Sequence, residues 1–327
     1  MIIGILTSGG DAPGMNAAVA GACEEVERLD GRALGVRGGF AGLAGERAAP
    51  LSALRARQHV DEPGTWLGTS RWPLLQQHEG RDACRRAIEA LGLTGLVVIG
   101  GDGSTKGARI LAGVLPVAAV PATIDRDLEG SELTIGMDSA IAYAVDAIDR
   151  LRITGRSLRG RAFLLQTLGA PNGYLADAVA AAAGLDDALV PERPFDLDAI
   201  AARLRERAAD GSAVAVMSEA VGDGVRIAED LAARSGLRVH PTILGHAQRA
   251  ASPTELDRAL GEAAGRAAVS ALAAGESTFV GLAADGAVAP IPLQPPASPP
   301  LSDQGATAGL RRRADDLLER ADGLDRR

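Results

Sequence analysis

Two short apolar runs in this chain end in residues able to hold phosphate and move a proton. Val97-Val98-Ile99 runs into Gly100-Gly101-Asp102-Gly103-Ser104, and Val117-Ala118-Ala119-Val120 runs into Pro121-Ala122-Thr123-Ile124-Asp125-Arg126-Asp127. Glycines let a backbone approach a polyanion, and a helix that begins just after them points unpaired N–H groups at it. Phosphate belongs there. The Asp102 carboxylate beside that anion site makes electrostatic sense with a divalent cation such as Mg²⁺ lying between the two. The first cluster therefore reads as a site for a nucleotide triphosphate and its metal. In the second cluster, an extended segment puts Thr123, Asp125 and Asp127 on one side. Thr123 can donate to an incoming phosphoryl group, and one carboxylate can serve as base toward a hydroxyl.

The elements that must position these turns follow from pattern. An apolar run, a glycine-rich turn and an Ala-rich run make a strand, loop and helix. The chain opens the same way, with a buried strand over Ile2 to Thr7, a turn over Ser8 to Gly14 and a helix from Met15 to Leu29. Helices are expected over 80–91, 139–152 and 253–274, and strands over 161–165, 213–217 and 237–244. A hairpin is expected over 278–283 and 287–291, turning at Asp285-Gly286. Pro290, Pro292 and the prolines after them are expected to exclude regular structure, and Leu310 to Leu324 to form a last amphipathic helix. Alternating strands and helices indicate an α/β class.

Further along lie isolated polar groups. Arg71 is a cation in a glycine-bearing loop with Trp66 and Trp72, and from that stretch alone it reads as a surface charge beside a core Trp pair. His246 and Arg249, three apart at an expected helix start, face one way and offer a cup for a sugar phosphate. Lys106 is the one lysine against 33 arginines. Placed in the first helical turn after Ser104, it is either a solvated cation or a point-charge contact to phosphate.

A chain of 327 residues is long for one core and favours two domains. The net charge of −8, with only four Phe, two Tyr and two Trp, argues against a nucleic-acid surface. Cys23 and Cys84 fall in helical runs without metal-ligand spacing, as expected of reduced core residues. No signal peptide and no apolar run long enough for a membrane span is read in the sequence, so a soluble, cytoplasmic protein without nucleic-acid or membrane partners is expected.

GGDGS and PATIDRD, together with TSGGDAPGMN at Thr7 to Asn16, LGTSRW at Leu67 to Trp72 and LGHAQRAASP at Leu244 to Pro253, resemble the 6-phosphofructokinase family in order and spacing up to about Pro292. The resemblance implies two Rossmann-like three-layer α/β/α domains with the active site in the cleft between them. The larger, nucleotide-binding domain would be 1–137 plus 250–293. The smaller, sugar-phosphate domain and tail would be 138–249 plus 294–327. It implies transfer of the ATP γ-phosphoryl group, with Mg²⁺ held at Asp102, to the 1-hydroxyl of fructose 6-phosphate. Thr123, Asp125, Asp127 and Arg71 would serve catalysis. Gly9, Phe40, Arg71, Trp72, Gly101, Asp102, Gly103, Ser104 and Lys106 would bind the nucleotide. Thr123, Asp125, Asp127, Arg161, Leu168, Gly169, Glu219, His240, His246 and Arg249 would bind the acceptor. Because the family clamps the sugar's phosphate from an adjacent subunit at the positions of Arg161 and His240, a homodimer or homotetramer is implied.

Several positions depart from the family pattern. Phe40 replaces a common Tyr, Ala170 and His240 each replace an Arg of the sugar site, and Arg126 replaces an Asn, where it either biases an aspartate toward its charged form or points to solvent. The lost cations leave open a kinase for another sugar phosphate, such as sedoheptulose 7-phosphate, or a catalytically weak sugar-phosphate or nucleotide sensor. Gly103 and Ala122 are small where pyrophosphate-using relatives carry Asp and Lys, which favours ATP. Ala20 and Glu24 replace effector-site arginines while Arg152 and Glu192 remain, so weak or absent effector control is expected.

Overall fold

A computed structural model describes residues 1–293 apart from Asp187 and Ser212. The expected helix at Leu310 to Leu324 and the prolines from Pro295 onward lie outside the described residues. Two compact units divide the chain: Met1–Ser139 with the segment from Arg249 onward, and Ala140–Gln248.

The larger unit is built on a seven-stranded sheet. Its strands are β1 (Ile2–Ser8), β2 (Arg32–Val36), β3 (Ala48–Leu51), β4 (Gly95–Gly100), β5 (Val117–Pro121), and, from the returning segment, β10 (Thr278–Leu282) and β11 (Val288–Pro292). In space they run β11-β10-β5-β4-β1-β2-β3, and the five inner strands are parallel. Every residue of β4 and β5 is buried, which is why both read as unbroken apolar runs rather than alternating ones. Helices Met15–Arg28 and Glu255–Ala273 pack on the sheet from sequence-distant segments, while His78–Ala90 and Asp102–Leu111 carry the chain between and beyond β3 and β4. One core cluster joins Leu6, Val36, Phe40, Leu96, Val98, Leu111 and Phe279.

The hairpin of β10 and β11 forms as expected, with Gly286 at φ +85°. Pro290 and Pro292 do not interrupt it, contrary to the sequence expectation. β11 is the sheet's edge, where a strand has one side free of ladder partners and a residue lacking an N–H is tolerated.

The smaller unit holds β6 (Arg161–Thr167), β7 (Ala188–Leu189), β8 (Val214–Ser218) and β9 (Arg238–Ile243), all parallel, in the order β7-β8-β6-β9. Helices Leu197–Arg207 and Gly224–Ser235 cover its apolar face, packing Ile200, Leu204, Ala228 and Leu231 against Ala162, Leu164 and Met217. Among the described residues, no helix is long and apolar enough to cross a membrane.

Candidate active site

The position of the site follows from strand order. β1 and β4 are parallel neighbours, with Ser8 opposite Gly100, yet β2 continues on one side of β1 while β5 continues on the far side of β4. Loops leaving the carboxyl ends of such a pair diverge and open a crevice. Here the diverging loops are Gly9 to Gly14 and Gly101 onward, and the turn after β5 adjoins them because Gly100 lies opposite Pro121. All three line one cavity of about 590 Å³ within the larger unit. Gly9, Gly101, Asp102, Gly103, Ser104, Thr123, Asp125, Asp127 and Arg249 are in its wall, as are Phe40, Arg71, Trp72 and Lys106. The glycine turn and the acidic turn share a single crevice.

One end of the cavity is made for an anion. Helix Asp102–Leu111 starts at Gly101 with no side-chain cap, so its first N–H groups are left to a ligand. Ser104 is only 3% exposed, and its Oγ has no hydrogen-bond partner among the described residues. A Cβ on Gly9, which sits at φ +85°, would stand 3.2 Å from that hydroxyl, whereas one on Gly103 would meet nothing within 4 Å. An orphaned donor beside a bare helix start fits a polyphosphate.

Lys106 is not in the first turn of this helix, because the helix begins at Asp102 rather than after Ser104. It lies one turn on, and its Nζ is 2.5 Å from Asp102 Oδ2.

The acidic turn is less regular than an extended reading supposes. β5 ends at Pro121; Thr123 N–H then donates to the Ile135 carbonyl at 3.0 Å, and Asp125 N–H to Thr123 Oγ1 at 3.2 Å. Arg126 takes a left-handed φ of 49°, and its Nε donates to the Glu132 carbonyl at 2.8 Å. That backbone region suits Asn better than a long side chain. The chain bends at Ile124 and Asp125, and Thr123, Asp125 and Asp127 all reach the cavity wall.

Burial pushes the Asp127 carboxyl up, and the charges of Asp125 and Asp102 add to the rise, while its own backbone N–H and the Thr123 hydroxyl oppose it. The charges of Asp125 and Asp102 disfavour a further negative charge at Asp127. A divalent cation there would relieve them, and the donors are all hard oxygens. Among the described residues no three His, Cys, Asp or Glu side chains form a metal cluster. The hard-oxygen donors lining the cavity fit a divalent cation such as Mg²⁺, which Asp102 would help to hold.

Asp125 is itself engaged. Arg249 Nη2 lies 3.1 Å from its Oδ2, and both side chains are less than one-fifth exposed.

The other end of the cavity is apolar. Phe40, 3% exposed, lies on the flank of helix Asp102–Leu111, where a Cβ on Gly107 would stand 2.6 Å from its ring. Leu75, Ile110 and Trp72 also line the cavity, adding apolar surface suited to a flat heterocycle. Leu75, Gly107 and Ile110 escaped the sequence reading, although a glycine four residues after Gly103 inside a helical run was a usable signal. Trp66 is elsewhere, stacked on His59 at 4.2 Å, so the two tryptophans are not a pair.

In the smaller unit the remaining candidates sit at strand ends. Leu168 and Gly169 follow β6, and Glu219 follows β8, with Thr167 opposite Ser218. Glu219 Oε1 accepts the backbone N–H groups of Gly169 and Ala170 at 3.1 and 3.2 Å. His246 lies on the short 3-10 turn Gly245–Ala250, and the division between the units falls inside that turn, before Arg249. Arg161 opens β6 opposite Arg238, and the exposed His240 on edge strand β9 stands opposite Phe163, with ring centroids 6.0 Å apart. Glu24, which stands in place of an effector-site arginine, and the retained Arg152 and Glu192 are all engaged internally. Glu24 pairs with Arg57 and Arg266, Arg152 donates to the Ala183 carbonyl at 2.7 Å, and Glu192 accepts the Gly173 N–H at 2.8 Å.

Comparison with known proteins adds a second line. Residues 2–272 match the family described as Phosphofructokinase. The protein named ATP-dependent 6-phosphofructokinase 1 of Thermus thermophilus is 39% identical over 298 residues, 89% of this chain and 92% of that protein. The ATP-dependent 6-phosphofructokinase of Bacillus subtilis is 37% identical over 277 residues, covering 84% and 86%. The Pichia pastoris phosphofructokinase structure superposes with a TM-score of 0.82 at 27% identity, over 89% of this chain and 35% of that longer one. A pyrophosphate-dependent phosphofructokinase from Marinobacter aquaeolei, at 20% identity and a TM-score of 0.81, shares the fold over 96% of this chain and 91% of its own.

Proposed function

This chain belongs to the phosphofructokinase family, and from that premise we propose that it transfers the γ-phosphoryl group of ATP to the 1-hydroxyl of fructose 6-phosphate. One observation carries the reading: a bare helix start with an orphaned serine hydroxyl lines the same cavity as Thr123, Asp125 and Asp127. The names of the curated relatives supply the donor and the acceptor.

In this account the helix start at Asp102, the Ser104 hydroxyl and the Gly9 loop bind the triphosphate, and the apolar surface at Phe40 takes the base. Mg²⁺ on Asp102 would neutralise charge between the phosphates. Asp125 accepts the proton of the acceptor hydroxyl, Thr123 donates to the phosphoryl group in flight, and Arg71, with its planar fork, faces the developing charge. Asp127 holds the acceptor in line. No covalent enzyme intermediate is needed, so positioning and electrostatics supply most of the rate.

Gly103 has open space where a side chain would stand, and Ala122 is small, which supports ATP over pyrophosphate as donor. The larger unit is assigned the nucleotide and the smaller the sugar phosphate, through Arg161, Leu168, Gly169, Glu219, His240 and His246, with Arg249 contributed by the larger. The placement of Arg161 and His240 at and beside an exposed edge strand supports a homodimer or homotetramer that shares this site. Buried, unpaired Cys23 and Cys84 support a reducing, cytoplasmic setting.

Coupled-assay kcat/KM across a panel of sugar phosphates, with ATP and with pyrophosphate, tests the assignment. Fructose 6-phosphate with ATP is expected to lead. A higher value for sedoheptulose 7-phosphate would reassign the acceptor, and preference for pyrophosphate would reassign the donor.

A further inference from the structure

The carboxylate assigned as base is covered by Arg249. Arg249 Nη2 donates to Asp125 Oδ2 at 3.1 Å and Nη1 to the Asp11 carbonyl at 3.4 Å, with the two side chains 17% and 15% exposed. The guanidinium also fills the space beside Gly10, where a Cβ would stand 2.9 Å from Nη1. It is thus seated between the loop after β1 and the acidic turn, in contact with both. A carboxylate oxygen occupied by a guanidinium N–H is not open to an incoming hydroxyl, and a guanidinium so engaged is unavailable to a second anion.

We propose that Arg249 exchanges partners as the acceptor enters: it leaves Asp125 for the anionic group of the incoming sugar phosphate, uncovering the base for that substrate's hydroxyl. Arg249 is then a positioning residue for Asp125 as well as a substrate ligand, and nucleotide alone leaves the base covered. The idea rests on the kinase reading above, since it needs an acceptor that carries both a hydroxyl and an anion. The two anions compete for one cation, so part of the acceptor's binding energy is spent in breaking the resident pair.

A double-mutant cycle on fructose 6-phosphate binding, measured by calorimetry on the full-length wild type, Asp125→Asn, Arg249→Ala and the double variant, reads that competition directly. Asparagine keeps the shape of Asp125 while removing its charge, so Arg249 is released in advance and the acceptor should bind roughly tenfold tighter than to wild type, the worth of one charge-assisted hydrogen bond. In the Arg249→Ala background the same substitution should give no such gain. Unchanged or weaker binding by Asp125→Asn would overturn the exchange in favour of an arginine that bridges both anions at once. A gain that persists without Arg249 would overturn it in favour of simple charge repulsion by Asp125. Arg249→Lys, which keeps the charge without the fork, serves if the alanine variant misfolds, and should retain only part of the gain. If fructose 6-phosphate binds to none of these proteins and wild type does not turn it over, the kinase reading fails. The same cycle on inorganic phosphate then still decides the exchange, by whether Asp125→Asn tightens phosphate in an Arg249-dependent way.

Discussion

The Lys106 ammonium and the Asp102 carboxylate meet at 2.5 Å across one turn of a single helix, at the mouth of the anion site. The pair is solvent-exposed on both sides, so its stabilising worth is small, within about 0.5 kcal/mol. Its consequence is competition, because the carboxylate assigned to Mg²⁺ is held by a resident cation. Lys106→Met should leave the unfolding midpoint unchanged and lower the Mg²⁺ concentration for half-maximal turnover about twofold, a shift of that same small size. A Mg²⁺ titration of activity at saturating ATP checks it; if the ATP KM rises instead, Lys106 is a phosphate contact.

Ser104 offers a test that separates binding from folding. Its hydroxyl is buried without a partner among the described residues, so Ser104→Ala should cost no stability and gain up to about 1 kcal/mol. Nucleotide should suffer, with a loss of roughly tenfold in ATP affinity. Thermal unfolding and nucleotide titration of the same sample decide it, and a destabilised variant with normal affinity would refute the anion-site assignment.

Gly103 faces open space on the same helix start. Gly103→Asp should fold normally, since Asp is a better helix residue than Gly, yet bring a carboxylate to the triphosphate. An ATP KM raised at least about tenfold, with an unchanged unfolding midpoint, is the expected result of placing like charge there. Normal ATP kinetics would show that the phosphates pass elsewhere.

What the sequence revealed and withheld divides along contact range. Buried parallel strands such as Gly95–Gly100 and the helix after them were legible because apolar runs and glycine turns are local signals. The short strands Arg32–Val36 and Ala48–Leu51 were not, since Gly35 and Pro50 blur their period. The left-handed Arg126 was invisible because it is imposed by the Glu132 carbonyl and the bridge of Ala122 to Ile135. The pairing of Asp125 with Arg249 spans 124 positions, and no spacing rule reaches that far.

Asp257 gives the clearest pH dependence. Fully buried at the start of helix Glu255–Ala273, it accepts from the N–H groups of Gly136 and Ser139 and from the Ser139 hydroxyl, tying down the turn that bridges to the acidic segment. Burial, above the opposing hydrogen bonds, pushes its carboxyl from 3.8 up to about 6. A raised carboxyl pKa means the folded state takes its proton first. The stabilisation is therefore full below pH 3.8 and is lost as pH rises through about 6. Asp257→Asn loses an acceptor for buried donors and should cost about 3 kcal/mol. Its deficit against wild type should widen as pH falls from 6 toward 4, measured by denaturant unfolding; a deficit constant across that range would contradict the buried, shifted carboxyl.

The central claim is that Asp125, in the same cavity as the helix start assigned to phosphate, removes the proton from the acceptor. Single-turnover transfer of the ATP γ-phosphoryl group to fructose 6-phosphate, followed in wild type and Asp125→Asn alongside ATP affinity, tests it most directly. The account predicts a rate lower by about two to four orders of magnitude with ATP affinity within twofold of wild type, as expected for loss of a general base. Transfer at near wild-type rate in the Asp125→Asn protein would contradict it.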